Sequence, residues 1–442
     1  MWFGGGLRGN AQLMKGVWKM SGLSRLILTL CIASVILESG LQAADWPQYR
    51  GPNRDSVCTE TGLLQQWPQG GPKLLWEISG LGPGYSSVSI VKGRLYTMGD
   101  RGKAQFVYAY DLNTQKELWA ALVGKSHDDG PRCIPTVDDG FVYALGTSGD
   151  LVCVAADSGQ VIWKKNLLSD LGGAANPGWK FSESPLIDGD RLLCTPGGHK
   201  DVIAALNKKT GAVIWQSPMP DIGKNGKDEA GYASIVISNG AGVKQYVQLT
   251  NEGVVSVSAD GKFLWGYNRV ANRVANIPSC VVDGDYVFTS TAYETGAALL
   301  KLVRDGDGVK AQEVYWLNNK QFQNHHGGFV KVGDYIYGGH GHNLGKPTCI
   351  EFKTGKIMWQ ADQPGDGSGC VLYADGNLYF RYQNGLMALV EATPEKYNLK
   401  STFMPPRRDG AKKEAWAHPV ISDGKLYLRH WDVLFCYDVK AQ

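Results

Sequence analysis

From residue 73 onward the chain alternates apolar and polar positions in short runs, and each run is cut off by a glycine-bearing turn. Gly93-Arg94-Leu95-Tyr96, Gly140-Phe141-Val142-Tyr143, Gly284-Asp285-Tyr286-Val287-Phe288 and Gly333-Asp334-Tyr335-Ile336-Tyr337 show the pattern, and Gly376-Asn377-Leu378-Tyr379 and Gly424-Lys425-Leu426-Tyr427 continue it. Period-two alternation marks half-buried strands, and no segment keeps a helical period. Glycine and aspartate at these turns supply the positive φ of hairpins. A second figure is laid over the first: Thr354-Gly355-Lys356-Ile357-Met358-Trp359, a tight turn, then an apolar strand closed by tryptophan. It recurs as Ser158-Gly159 before Trp163, Thr210-Gly211 before Trp215 and Asp260-Gly261 before Trp265, and Thr114 precedes Trp119 at the same distance without the glycine. Trp76 and Trp316 carry the strand but not the turn, and successive tryptophans fall 43, 44, 52, 50, 51 and 43 residues apart.

A fixed figure at that period signals a repeat. Each unit reads as four antiparallel strands, A to D, with hairpins A–B and C–D, which is a propeller blade. The repeats fall at about 86–124, 131–167, 181–217, 231–269, 277–318, 325–363, 367–405 and 416–442. The last one stops after three strands, and an orphan strand at 73–79 supplies the fourth. Pairing the two chain ends in one blade closes a ring and removes open sheet edges. The expectation is an all-β, eight-bladed propeller over 73–442; a linear solenoid would leave both the short last repeat and the orphan strand unexplained.

Composition agrees: 57 glycines, 14 tryptophans and 20 tyrosines suit turns and strands. A net charge of +3 with 20% charged residues, and no lysine- or arginine-rich run, argues against a nucleic-acid surface. Residues 1–44 read as a signal peptide: Arg25, an apolar run over 26–37, then Leu41-Gln42-Ala43-Ala44, with Met20 as an alternative start. The apolar run is too short to span a bilayer as a helix. A retained anchor is the alternative reading. The expected mature chain is exported to the periplasm or cell envelope and is not transmembrane. A proline- and glycine-rich lead, 45–72, is expected to pack across the propeller surface through Trp46 and Trp67. Of nine cysteines, eight lie beyond the leader (58, 133, 153, 194, 280, 349, 370 and 436), without a CxxC pair, and read as small buried hydrophobes with room for one or two disulfides.

Strand direction turns spacing into location. If A runs from top to bottom, the D–A and B–C connections share the top face. All eight histidines (127, 199, 325, 326, 340, 342, 418 and 430) fall in or beside those connections. Loops on a rigid scaffold commonly carry function. In the sixth repeat the hairpin centre sets His325 opposite His342, with His340 on the same face while the strand stays extended. His325, His340 and His342 are therefore a candidate zinc or copper site. Arg132, Lys180, Arg273 and Glu183 stand beside predicted A-strand starts and are candidates for an anionic-ligand pocket, with His418 in a neighbouring D–A connection. Glu183 and Asp201, in the third repeat's top loops, are the candidate catalytic carboxylates.

The turn-plus-tryptophan figure resembles the PQQ-like β-propeller repeat over roughly residues 71–442. That repeat occurs in quinoprotein alcohol dehydrogenases and in the propeller lipoprotein of the outer-membrane barrel-assembly machinery. The chain also resembles secreted bacterial propellers of no established reaction through Asp45-Trp46-Pro47-Gln48-Tyr49-Arg50-Gly51-Pro52-Asn53, Lys180-Phe181-Ser182-Glu183-Ser184-Pro185 and His325-His326-Gly327-Gly328. Kelch and WD40 signatures are not periodic here. The dehydrogenase resemblance implies PQQ stacked between a tryptophan and a disulfide of adjacent cysteines, with calcium held by carboxylate and amide oxygens. Glu183, Asn276 and Glu294 lie on a suitable face, but the chain has no Cys-Cys pair. Two functions are expected: a binding or scaffold propeller of the envelope, taking a small molecule or an envelope protein on the top face, or a PQQ-dependent dehydrogenase acting on an alcohol or sugar.

Overall fold

In the computed structural model, residues 45–407 and 414–441 are described; the expected leader lies outside the described residues. The described strands form eight sheets, each with a four-stranded antiparallel core, and the one helical turn among the described residues is the 3-10 turn Gly240–Gly242. The first blade is Ser89–Val91, Arg94–Arg101, Ala104–Asp111 and Glu117–Lys125. The sixth is Phe329–Val332, Tyr335–His340, Lys346–Glu351 and Ile357–Gln360. In the eighth, Val420–Ser422, Lys425–His430 and Val433–Asp438 are completed by Lys73–Ile78, which pairs antiparallel with Val433–Asp438. The orphan strand therefore closes the ring as its alternation predicts.

The repeated glycine joins one blade to the next. Gly211, at φ +70, sits where a Cβ would lie 2.8 Å from the Trp163 ring of the preceding blade. Only a residue without a side chain fits both the left-handed turn and the ring above it. Gly159 meets Trp119 and Gly261 meets Trp215 in the same way. The ring nitrogen then donates to the adjoining turn: Trp163 Nε1 to the Lys208 carbonyl at 2.9 Å, Trp119 Nε1 to the Ala156 carbonyl at 3.2 Å, and Trp359 Nε1 to the Thr393 carbonyl at 2.8 Å. In the fifth blade the ring is Tyr315 and not Trp316. Tyr315 lies against Gly355 and donates its hydroxyl to the Phe352 carbonyl at 2.9 Å. The outer strands carry the same one-residue bulge just before the ring, as before Trp163 and Trp215, and in the fifth blade the residue that follows it is Tyr315.

The lead does more than cover a surface. Its Trp46 pairs with Ile90 of the first blade's inner strand. Arg50 donates to the Phe329 carbonyl of the sixth, Arg54 to the Ser184 carbonyl at 2.7 Å and the Pro185 carbonyl at 3.0 Å beside the third, and Val57–Cys58 adds a parallel strand to Gly369–Ala374 of the seventh. One short segment that touches inner strands on opposite sides of a ring must lie across its axis. It plugs the channel, with Trp46, Arg50 and Arg54 all buried. Trp67 is buried too, against Phe403 and Tyr379. The eight described cysteines are all buried free thiols, so the expected disulfides are not formed.

Candidate functional site

The inner A strands are short, and the D–A connections that feed them converge on the axis. There they enclose a cavity of about 390 Å³. Tyr85, Arg132, Trp179, Tyr232, Ile277, His326 and Trp416 reach it from seven D–A connections, and Gln383 from the seventh blade's B–C loop. All eight blades thus contribute, and only an axial position allows that. Tyr49 of the plug also lines it. All eight histidines lie in, or end, the B–C and D–A segments, so the face expected to gather them does so.

Arg132 is the cavity's guanidinium. It donates to Asp129 at 3.1 Å and to the Trp179 carbonyl at 2.8 Å. The Tyr85 hydroxyl donates to Glu414 at 3.2 Å. On the opposite wall His325, 6% exposed, holds Ser368 at 3.1 Å through Nδ1 and the Tyr293 hydroxyl at 3.0 Å through Nε2. The His326 ring stacks on Trp416, with centroids 4.4 Å apart and planes 11° from parallel. Burial, with His342 nearby, lowers His325 to about 4; burial, with Arg50 and Arg381, lowers His418 to about 3. Burial and the neighbouring His325 also hold His326 well below its ordinary value. At neutral pH this wall is uncharged, each imidazole offering one donor and one acceptor. Two lining hydroxyls, on Ser182 and Tyr232, are buried without a protein partner.

The expected site residues divide. Arg132, His325 and His418 line the cavity. His342 stands beside it, its ring 4.3 Å from His325 and 4.5 Å from Tyr293. His340 goes elsewhere: its ring packs on Phe322, and its Nδ1 accepts the Gln323 N–H at 3.2 Å. The reason is Gly341, at φ +102, which breaks the extended backbone that would have kept His340 and His342 on one side. His326 takes the third place in the cluster, 3.9 Å from His325. Glu183 is buried, with both oxygens bound to Thr195 at 2.7 and 2.9 Å. Burial pushes its carboxyl up to about 7, against the pull of those bonds and of Arg54. Asp201 lies in the third blade's B–C loop near Gly172 and is not brought to Glu183. Asn276 is fully buried, its amide shared among Asn272, Thr250 and Asn251. Lys180 sits in a turn at φ +54, and Arg273 and Glu294 are exposed; none of the three lines the cavity. Residues that sequence reasoning missed are Tyr49, Tyr232, Trp179 and Trp416. For Tyr232, Trp179 and Trp416 the signal was an aromatic placed within a top connection, and Tyr49 lies in the lead.

A family profile described as "Outer membrane protein assembly factor BamB" matches residues 103–361. The chain belongs to this family of PQQ-like propellers. Among characterised relatives, tetrathionate hydrolase of Acidithiobacillus ferrooxidans is 26% identical over 160 residues, 34% of this chain and 30% of its own. BamB of Yersinia pestis is 25% identical over 171 residues, 36% and 39% of the two chains. The quinoprotein alcohol dehydrogenase PedH of Pseudomonas putida is 26% identical over 139 residues, 29% and 22%. The chain thus spans well under half the length of each. Among solved structures, Moraxella catarrhalis BamB matches 84% of this chain and 98% of its own with a TM-score of 0.58 at 13% identity. Quinohemoprotein alcohol dehydrogenase of Comamonas testosteroni matches 90% and 81% with 0.60 at 12%. Both share the fold.

The residues present do not fit the quinone-and-calcium arrangement that the dehydrogenase resemblance implies. No two cysteines are adjacent, and the eight described thiols are buried and free. His326 already covers one face of Trp416. Glu183 and Asn276 spend their oxygens on protein donors. The cavity sets Arg132, already paired with Asp129, beside a second carboxylate on Glu414, which is poor company for a tricarboxylate.

Proposed function

We propose that this chain is an exported, non-catalytic binding propeller of the cell envelope, and that its axial cavity takes a small polyhydroxylated ligand of the saccharide class. The cavity carries the reading: aromatic faces from Trp179, Tyr232 and Tyr85 surround hydroxyl, amide and uncharged imidazole groups, with Arg132 and Glu414 as fixed polar anchors. Sugar rings present C–H faces for stacking and a fringe of hydroxyls that both donate and accept. Ser182 and Tyr232 hold buried hydroxyls that no protein group satisfies, so a ligand that bonds them recovers a desolvation cost. The volume, about 390 Å³, lies in the range of small-molecule sites.

Export rests on the leader-like residues 1–44 and on a family whose profile is described by an outer-membrane assembly role. None of the described helices is long and apolar enough to cross a membrane. Calorimetric titration of the purified chain with a panel of mono- and disaccharides, with PQQ plus calcium as a separate arm, tests the proposal. Saturable saccharide binding supports it; saturable PQQ binding with dye-linked alcohol oxidation replaces it with the dehydrogenase reading.

A further inference from the structure

Between the third and fourth blades, away from the axial cavity, three side chains from separate segments bring their donor atoms together. His199 comes from the B–C connection of the third blade, Asp228 from the link between the two blades, and Glu252 from the tight turn between Gln245–Thr250 and Gly253–Ser258. One ligand atom from each lies within 4.8 Å of the others. His199 Nε2 is 3.1 Å from Glu252 Oε2 and 3.6 Å from Asp228 Oδ1. Two donors on a tetrahedral zinc ion, each about 2.1 Å from the metal, stand about 3.4 Å apart. The three atoms are spaced as ligands of one ion are.

We propose that His199, Asp228 and Glu252 bind a divalent first-row transition-metal ion. The second observation is the state of Glu252. Its side chain is 7% exposed, and Oε2 is shut off from solvent without a hydrogen-bond donor aligned on it. Its one near cation is the His199 imidazole at 3.1 Å, and a buried carboxylate held by a single poorly aligned partner is costly. Asp228 and Asp221 both stand close enough to add negative charge at Glu252. A divalent ion neutralises the two ligand carboxylates and leaves the imidazole neutral, as metal binding requires. One nitrogen with two carboxylate oxygens suits zinc or its neighbours better than calcium, which takes six to eight oxygens.

The ligands are held from behind. The Met219 N–H donates to the His199 carbonyl at 2.8 Å, and Asn268 donates to the Glu252 carbonyl at 2.6 Å. The Asn251 N–H donates to the Glu229 carbonyl at 3.1 Å, which ties the Asp228 segment to the Glu252 turn. His199 and Asp228 are 39% and 46% exposed, so the fourth position faces water. This is the open geometry of zinc sites that exchange a ligand.

The test is metal titration of the chelator-stripped full chain, with zinc followed by calorimetry and cobalt by visible absorption. The wild type should bind one equivalent. His199→Ala and Glu252→Gln should each weaken that binding at least tenfold while keeping the unfolding midpoint of the stripped wild type. His342→Ala should leave it unchanged. Absence of binding in the wild type, binding indifferent to both His199→Ala and Glu252→Gln, or loss in His342→Ala instead, would overturn the assignment. Saccharide binding at the axis is measured separately and stands or falls on its own.

Discussion

His418 shows how a single side chain reports its surroundings. Its ring meets Tyr49 of the plug edge-on at 5.4 Å, and burial near Arg50 and Arg381 depresses it to about 3. A histidine depressed in the folded state stabilises the fold fully above its unfolded value near 6.5. It loses that contribution as the pH falls toward the folded value, because the unfolded chain takes up the proton first. Between pH 6.5 and 4 the wild type should therefore lose more stability than His418→Gln, by an amount on the order of a few kcal/mol; urea midpoints at both pH values check this. Glu183 works in the opposite sense. Its raised carboxyl holds a proton in the fold up to about 7, so its term falls as pH rises from 4.5 to 7, and the comparison with the variant is needed to isolate the histidine. At this scale the sequence was partly readable. It placed Arg132, His325 and His418 by their connection alone. It could not show that Glu183 is saturated by Thr195, because saturation depends on where a neighbouring strand puts its N–H and hydroxyl.

Among elements, the joint between blades is the repeating event, and the turn-glycine-tryptophan figure is its imprint. Gly211→Ala should destabilise by about 2–4 kcal/mol, from the left-handed backbone and from crowding of the Trp163 ring. The denaturant midpoint reads the loss. An equal substitution at Gly189, where nothing lies within 4 Å, should show only the backbone part. Strand pairing was legible for the same reason that the blades were: Phe329 faces Gly338 and Val332 faces Tyr335, as the turn centre implies. What alternation cannot foresee is a local break in it. Gly341 turns His340 away from His342, and in the fifth blade the residue after the bulge common to the outer strands is Tyr315, one position before the Trp316 that the tryptophan spacing assigned. Loop segments carry no periodicity at all, so the lead's path across the axis left no trace in the pattern.

For the whole molecule, the ring needs both closure and a plug. Lys73–Ile78 closes it, and Arg50 and Arg54 pin the lead to the sixth and third blades. Arg54→Ala removes donors from the Ser184 and Pro185 carbonyls and a positive charge that acts on the buried Glu183. Its expected cost is about 1–3 kcal/mol, the range for leaving buried polar groups without their partner, and thermal unfolding measures it. The plug also lines the axial cavity through Tyr49, so ring, plug and cavity are built together. The measurement that bears most directly on that construction is the affinity of a saccharide found in the titration panel, compared between wild type and Arg132→Ala and Tyr232→Phe. Both substitutions should weaken binding, Arg132→Ala at least tenfold and Tyr232→Phe severalfold, with the fold intact. Affinity unchanged in both variants would place the ligand somewhere other than the axis and contradict the account.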